Sequence, residues 1–457
     1  MNTVAFFQQL FDSIADRGRD LAGWPARGED GEASYAVLAQ ALLAARGEAT
    51  RAAIAQQLVG VCRRLDGDDR LGFFRFLAQK FSPDPEAALA AARAYRANPN
   101  PLTLRALGVA AQPPRQDLFR RMNMAPGGTA LLVRLRESLL DLLPQHPELA
   151  AVDDDLLHLL ASWFNRGFLT FGRVDWHSPA VLLEKLIAYE AVHPFRGWDD
   201  LRRRLGPDRR CFAFFHPALP DEPLIFVQVA LTQGMADRVA PFVDPDRPFE
   251  DPAKADTAIF YSISNCQKGL RGVSFGSFLI KQVAAELQRE WPSLLTFATL
   301  SPVPGFRRWL ASLVKGLPAA GEQDEARKIL VEVAAGLERP GWQEEPETAK
   351  ALRGPLSALC AHYLTQAKRP DGSPLDPVAR FHLGNGARLE RIDWLGDTSP
   401  NGLRQSAGLM VNYAYRLDRL EQNHEAYVND GRVVAARGVL SLAKQAPLPQ
   451  PPKDKAA

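Results

Sequence analysis

Apolar positions recur every three to four residues through most of the chain up to residue 165, the spacing of helices that bury one face. This predicts helices at Tyr35–Arg46, Ala49–Leu65, Asp69–Phe81, Pro85–Ala97, Leu131–Leu143 and Asp154–Asn165. Breaks such as Asn98-Pro99-Asn100-Pro101 and Pro126-Gly127-Gly128 separate them. Phe6, Phe7, Leu10, Phe11 and Ile14 predict a further amphipathic helix within Met1–Asp20. No fixed repeat length shows, so this part reads as a helical bundle rather than a solenoid.

From residue 166 the pattern shortens. Cys211–Phe215 and Leu224–Leu231 are apolar runs of strand length, and the Pro- and Asp-containing segment between them predicts a hairpin. Thr257–Ser264 is a further strand, followed by a glycine-bearing turn, a helix over about Ser277–Glu290 and a strand at Leu294–Leu300. Leu279, Val283 and Leu287 give that helix an apolar face for a sheet. Strand, loop, helix and strand together make an α/β unit. Helices are expected at Glu325–Leu337, Thr348–Gln366 and near Gln405–Met410, with strand-like sequence at Ala379–Trp394. The domain reading is therefore a helical bundle at 1–165, an α/β domain at 166–445 and a Pro- and Lys-containing disordered tail at 446–457.

Composition narrows the function. Lys plus Arg (55) nearly balance Asp plus Glu (53), leaving a net charge of +2 and no whole-molecule field for nucleic acid or an anionic membrane. No apolar run reaches the ~18 residues of a membrane span. The four cysteines, Cys62, Cys211, Cys266 and Cys360, are scattered and fit a reducing compartment better than a disulfide framework. The N-terminus lacks a secretion signal and the C-terminus a peroxisomal one, so a cytoplasmic location is expected. His146, His158, His177, His362 and His424 show no metal-ligand spacing.

The glycine-bearing turn holds the first candidate chemistry. Thr257–Ser264 leads into Asn265-Cys266-Gln267-Lys268-Gly269-Leu270-Arg271-Gly272-Val273-Ser274-Phe275-Gly276-Ser277. Glycines at 269, 272 and 276 allow backbone N–H groups to approach a bulky anion, and the next helix aims its positive end at the same place. Lys268 and Arg271 add cationic side chains. The order is neither a Walker loop nor a dinucleotide fingerprint, and on spacing alone a ligand-free turn is an equal reading.

Arg271-Gly272-Val273-Ser274-Phe275-Gly276 resembles the loop with which Gcn5-related acetyltransferases grip the pyrophosphate of coenzyme A, with Ser274 at the middle glycine. A longer set of segments resembles the malonyl-CoA decarboxylases, a non-transferring branch of that fold. It comprises His193-Pro194, Gly206-Pro207, Arg210-Cys211, Glu222-Pro223-Leu224, Val229-Ala230-Leu231-Thr232, Ser301-Pro302-Val303-Pro304-Gly305-Phe306, Phe381-His382-Leu383-Gly384-Asn385-Gly386-Ala387 and Gly408-Leu409-Met410-Val411-Asn412-Tyr413, in family order over most of residues 170–420.

The resemblance implies an acetyltransferase-like catalytic domain behind a helical oligomerisation domain, a homo-oligomer that is a tetramer, and release of carbon dioxide from malonyl-CoA to leave acetyl-CoA. It implies that Arg271, Gly272, Val273, Ser274, Phe275, Gly276 and Ser277 hold the CoA moiety, that Ser301 orients the substrate carboxylate and that His382 protonates the enolate. On residues alone, a serine before proline more often satisfies a turn and a histidine beside Phe and Leu more often packs in a core. The thioester carbonyl can itself accept the electrons that carbon dioxide leaves behind, so neither a cofactor nor a metal is expected. An imidazole with an ordinary pKa near 6.5 would serve as the acid at neutral pH. Family members often carry Glu where Ser274 stands, and serine does no acid–base work at that pH. His193 is expected to support the fold, and Asn385, Asn412 and Tyr413 either to line the site or to pack. Two alternatives remain: a CoA-dependent acyltransferase of the same fold, and a non-catalytic sensor of malonyl-CoA.

Overall fold

The computed structural model describes residues 32–273, 278–317 and 325–448. The helix expected within Met1–Asp20 and the tail from Pro449 onward lie outside the described residues. The chain divides into two units. The first takes in the chain to Thr170 together with Phe215–Leu224 and the loop that begins at Cys266, and the second takes in the rest.

The first unit is helical: α1 (Glu32–Ala44), α2 (Glu48–Arg64), α3 (Gly67–Lys80), α4 (Pro85–Ala97), α5 (Pro101–Ala111), α6 (Pro114–Asn123), α7 (Gly128–Leu142) and α8 (Ala150–Trp163). Its core is a single cluster that includes Tyr35, Leu58, Phe73, Phe74, Leu77, Phe119, Leu132, Leu135 and Leu156. The breaks read from the sequence are sharp turns. Asn100 accepts hydrogen bonds from the Leu102 and Thr103 N–H groups at 2.9 and 3.1 Å, and Thr103 Oγ1 accepts from the Asn100 N–H at 3.2 Å. With Pro101 at the first helical position, this reciprocal cap starts a helix, α5, that the periodicity did not reveal. At the second break Gly127 takes φ +68°, and a Cβ on Gly128 would lie 1.9 Å from the Met122 carbonyl oxygen.

Helices α4 and α5 form a hairpin in which no residue is fully buried. Leu102 is 78% exposed and Val109 69%, so an apolar face of this hairpin meets solvent.

The described residues form an eight-stranded sheet, most of which belongs to the second unit: β1 (Thr170–Val174), β2 (Arg209–His216), β3 (Leu219–Thr232), β4 (Thr257–Asn265), β5 (Thr296–Thr299), β6 (Ser301–Pro302), β7 (Arg388–Asp393) and β8 (Met410–Ala414). The order is β1-β2-β3-β4-β5-β8-β6, with β7 also on β8. β4 and β5 run parallel, Thr257 opposite Thr296 through Phe260 opposite Thr299, whereas β3–β4 and the pairs made by β8 are antiparallel. Between β4 and β5 the chain passes through α12 (Phe278–Glu290), the crossover that a parallel pair requires. The remaining helices are α9 (Ala180–Tyr189), α10 (Trp198–Arg204), α11 (Ala240–Val243), α13 (Phe306–Lys315), α14 (Glu325–Leu337), α15 (Pro346–Thr365), α16 (Pro377–Gly384), α17 (Pro400–Ser406), α18 (Leu420–Asp430) and α19 (Arg437–Lys444).

Two expectations are corrected. The strand-like stretch Ala379–Trp394 is helix α16 followed by strand β7, because Asp376 caps a helix there, its Oδ1 accepting the Ala379 N–H at 2.8 Å. The helix expected near Gln405–Met410 ends at Ser406, where Ala407 and Gly408 turn with φ +54° and +76°, and Met410 opens strand β8.

The polar residues Gln228, Tyr261, Ser262 and Ser264 look misplaced in buried strands, yet they belong to a polar network. Glu190 accepts hydrogen bonds from the Ser262 hydroxyl at 2.7 and 2.8 Å and from Gln228, which in turn accepts from the Tyr261 hydroxyl at 2.9 Å. The backbone N–H of His193 also donates to Glu190 at 2.9 Å, and the His193 side chain is buried.

Candidate active site

Strands β5 and β6 both pair with β8 in one antiparallel register, from Ala298 opposite Ala414 to Pro302 opposite Met410. From β8, Asn412 Nδ2 donates to the Thr299 carbonyl at 2.8 Å, and the Tyr413 N–H donates to Thr299 Oγ1 at 3.1 Å. Leu300 lies in the apolar core, while Thr299 and Ser301, two residues apart, share the other side. Ser301 is buried, and its hydroxyl donates to Thr299 Oγ1 at 2.8 Å.

The imidazole of His382, on the last turn of α16, lies against that hydroxyl with Nε2 3.0 Å from Ser301 Oγ. Two side chains 81 positions apart therefore form a buried pair. On the far side of the ring the Tyr415 hydroxyl lies 2.7 Å from His382 Nδ1. Because Ser301 gives its proton to Thr299, Nε2–H donates to Ser301 Oγ, and Nδ1 accepts from Tyr415. Tyr413 stacks on the imidazole, ring centroids 4.6 Å apart and planes at 26°, and Phe381 meets it edge-on at 5.1 Å.

This enclosure changes the acid–base reading. Burial removes water from the ring and pushes the His382 pKa down to about 3. At neutral pH the free protein holds a neutral imidazole, not the imidazolium that an ordinary pKa would supply. Burial also pushes the Tyr413 and Tyr415 hydroxyls well above the usual phenol range, so both stay protonated. The chain Tyr415–His382–Ser301–Thr299 is thus an uncharged relay of hydrogen bonds in a buried site. Among the described residues no group of three His, Cys, Asp or Glu side chains could hold a metal ion.

Of the neighbours named from the sequence, Tyr413 forms a wall of the site and Asn412 braces the Thr299 carbonyl. Asn385 packs instead, its Nδ2 donating to the Phe381 carbonyl at 2.6 Å. Thr299 and Tyr415 were missed. The signal was present for Tyr415: Tyr413 and Tyr415 stand two apart at the end of a strand and so face the same way.

In the first unit, the described half of the glycine loop is held rigidly. The Arg136 guanidinium, paired with Asp153 at 2.8 Å, donates to the carbonyls of Gly269 at 2.8 Å and Arg271 at 2.7 Å. A Cβ on Gly269 would lie 1.9 Å from the Val133 carbonyl oxygen, so this glycine serves helix contact rather than approach to an anion. Gly272 takes φ +89°, the conformation a tight anion-binding turn uses. Arg271 is exposed, while Lys268 pairs with Glu137 at 3.4 Å. Ser274, Phe275, Gly276 and Ser277 lie outside the described residues.

Comparison with known proteins gives one answer. Residues 167–453 match the malonyl-CoA decarboxylase C-terminal domain, and residues 81–164 match the N-terminal domain. The mitochondrial malonyl-CoA decarboxylase of Anser anser anser is 41% identical over 353 residues, covering 73% of this chain and 70% of that protein. That of Rattus norvegicus is 40% identical over 353 residues, with 73% and 72% covered. The crystal structure of malonyl-CoA decarboxylase from Rhodopseudomonas palustris superposes with a TM-score of 0.86 at 50% identity, covering 90% of this chain and 100% of that one. That from Agrobacterium vitis gives 0.82 at 48% identity, covering 89% and 99%. With both domains matched in order, the chain belongs to the malonyl-CoA decarboxylase family.

Proposed function

We propose that Ser301 and His382 are the two groups with which this member of the family, a carboxy-lyase, converts malonyl-CoA to acetyl-CoA and carbon dioxide. The observation that carries the assignment is the 3.0 Å contact between Ser301 Oγ and His382 Nε2 inside an enclosed relay. When the substrate carboxylate arrives, the Ser301 hydroxyl turns from Thr299 to donate to it. It thereby holds the breaking C–C bond across the thioester plane. The bond breaks, carbon dioxide leaves, and the electron pair passes into the thioester as an enolate. The neutral Nε2–H then gives its proton to the α-carbon, since a thioester enolate is basic enough to take it, and the imidazolate left behind is held by the Tyr415 hydroxyl at Nδ1. Tyr415 fixes the tautomer that places this proton on Nε2, and water restores it once acetyl-CoA leaves.

The thioester acts as its own electron sink, so we propose that no cofactor or metal takes part. Chelation and dialysis should leave turnover unchanged, and loss of activity restored by a divalent ion would overturn this. We assign the CoA contacts to Arg271, Gly272, Val273, Ser274, Phe275, Gly276 and Ser277, on the resemblance of the loop, the positive φ of Gly272 and the exposed Arg271. Arg271→Ala should raise KM while leaving kcat nearly unchanged.

We further propose self-association into a homo-oligomer, a tetramer by family resemblance, supported by the exposed apolar face of the α4–α5 hairpin. A cytoplasmic location is proposed on the buried cysteines Cys62, Cys211 and Cys360, which form no disulfide. No helix among the described residues is long and apolar enough to cross a membrane. The deciding experiment is incubation with malonyl-CoA and no acceptor. Formation of acetyl-CoA and carbon dioxide supports the reading, whereas binding without turnover would point to a sensor.

A further inference from the structure

Helix α16 carries His382 at its last turn and begins at Asp376, a carboxyl with no exposed surface. Asp376 Oδ1 accepts the Ala379 N–H at 2.8 Å. The Val378 and Gly305 N–H groups favour the charged carboxylate from longer range, and Oδ2 is buried without a hydrogen-bond partner among the described residues. Gly305 closes the Ser301-Pro302-Val303-Pro304-Gly305 turn. One buried carboxyl therefore faces both segments that present the reacting side chains. The packing around it is tight: a Cβ on Gly305 would lie 2.3 Å from the Tyr363 hydroxyl. From α15, Cys360 and Tyr363 face Asp376, from β8 Tyr413, and from its own helix Arg380. Tyr413 is the ring stacked on His382.

We propose that Asp376 is a positioning residue for the decarboxylation: in its ionised form it draws the first turn of α16 and the turn after Ser301 to one point, and so sets the spacing of His382 and Ser301. It touches no reacting atom and acts through these two segments. Isolation from water pushes its carboxyl up to about 6, within reach of ordinary assay conditions. Protonation removes the charge that the backbone N–H groups face and loosens the spacing.

Asp376→Asn tests this and separates two roles. Asparagine keeps an oxygen for the Ala379 N–H and so preserves the helix cap, but it replaces the second oxygen with a donor. The variant should keep a near-normal Tm and a KM for malonyl-CoA within about twofold, while kcat falls by about tenfold or more. Wild-type kcat should decline as the pH drops through about 6, and the variant's kcat should lack that decline. Unchanged kcat, a retained decline in the variant, or a fall in kcat matched by a large loss of Tm would each overturn the proposal. Should the variant fail to fold, a wild-type kcat that stays flat from about pH 7.5 to 5 would do so.

The inference rests on the Ser301–His382 assignment, and Ser301→Ala and His382→Asn measured alongside keep the two apart. Full activity in those two variants sinks the assignment; their inactivity beside an unaffected Asp376→Asn sinks only the positioning role.

Discussion

His382 shows how far enclosure can move a side chain from its behaviour in water. The ring is wrapped by Phe381, Tyr413 and Tyr415, and its pKa falls to about 3. If the neutral ring is the proton donor, kcat/KM of Asp376→Asn, which lacks the titration assigned to Asp376, should show no break near the ordinary histidine value, because that parameter reports the free enzyme's ionisations. A clear inflection near pH 6.5 that disappears in His382→Asn would refute the neutral donor. Ser301→Ala and His382→Asn should each cut kcat by about 100-fold, the range for a lost orienting group or acid. Tyr415→Phe removes the donor to Nδ1 and frees the ring to adopt the other tautomer. Turnover should then drop by about tenfold with KM little changed. The same enclosure links stability to pH. The unfolded chain binds a proton at His382 near pH 6.5 and the folded chain only near 3, so stability is complete above 6.5 and lost as the pH falls between these values. Between pH 7 and 5 the wild type should lose about 2 kcal/mol that His382→Asn retains. Asp376 and Asp393, raised to about 6 and about 7, act in the opposite direction in both proteins, so the comparison cancels them.

At the scale of elements, the sequence was legible where one periodicity governs a segment. Glu325–Leu337 forms a helix over the residues that its pattern predicts, and the strands around Cys211–Phe215, Leu224–Leu231 and Thr257–Ser264 stand where short apolar runs place them. Legibility failed where caps and turns outweigh pattern. Helices α5 and α6 begin at prolines, and α5 buries no residue fully, so a rule that searches for buried stripes overlooks it. The Phe381–Leu383 run looked strand-like because its neighbours are apolar, yet Asp376 and Pro377 had already started a helix. The pairing of Ser301 with His382 was legible through family motifs alone, since no spacing rule connects residues 81 apart. Their uncharged relay was not legible, because depressed basicity comes from neighbours supplied by other segments. The loop glycines separate in the same way. Gly269→Ala would drive a methyl into the Val133 carbonyl at 1.9 Å and should destabilise the first unit by about 1–3 kcal/mol, measured by denaturant unfolding.

For the whole molecule, the α4–α5 hairpin gives the sharpest test. An apolar face with Leu102 at 78% and Val109 at 69% exposure is costly to leave in water. If it joins copies of this chain, Leu102→Glu with Val109→Glu should reduce the mass seen by light scattering to that of a smaller species without lowering Tm for the first unit. An unchanged mass would remove the hairpin from the interface.

Arg136 has a practical consequence for anyone dissecting the protein. It lies on α7, far upstream in sequence from the Cys266 loop, yet its guanidinium fixes two carbonyls of that loop. A recombinant fragment beginning at residue 166 would thus express the Ser301–His382 pair while leaving its proposed nucleotide grip without a scaffold. Such a fragment should be tested for CoA affinity before its turnover is interpreted.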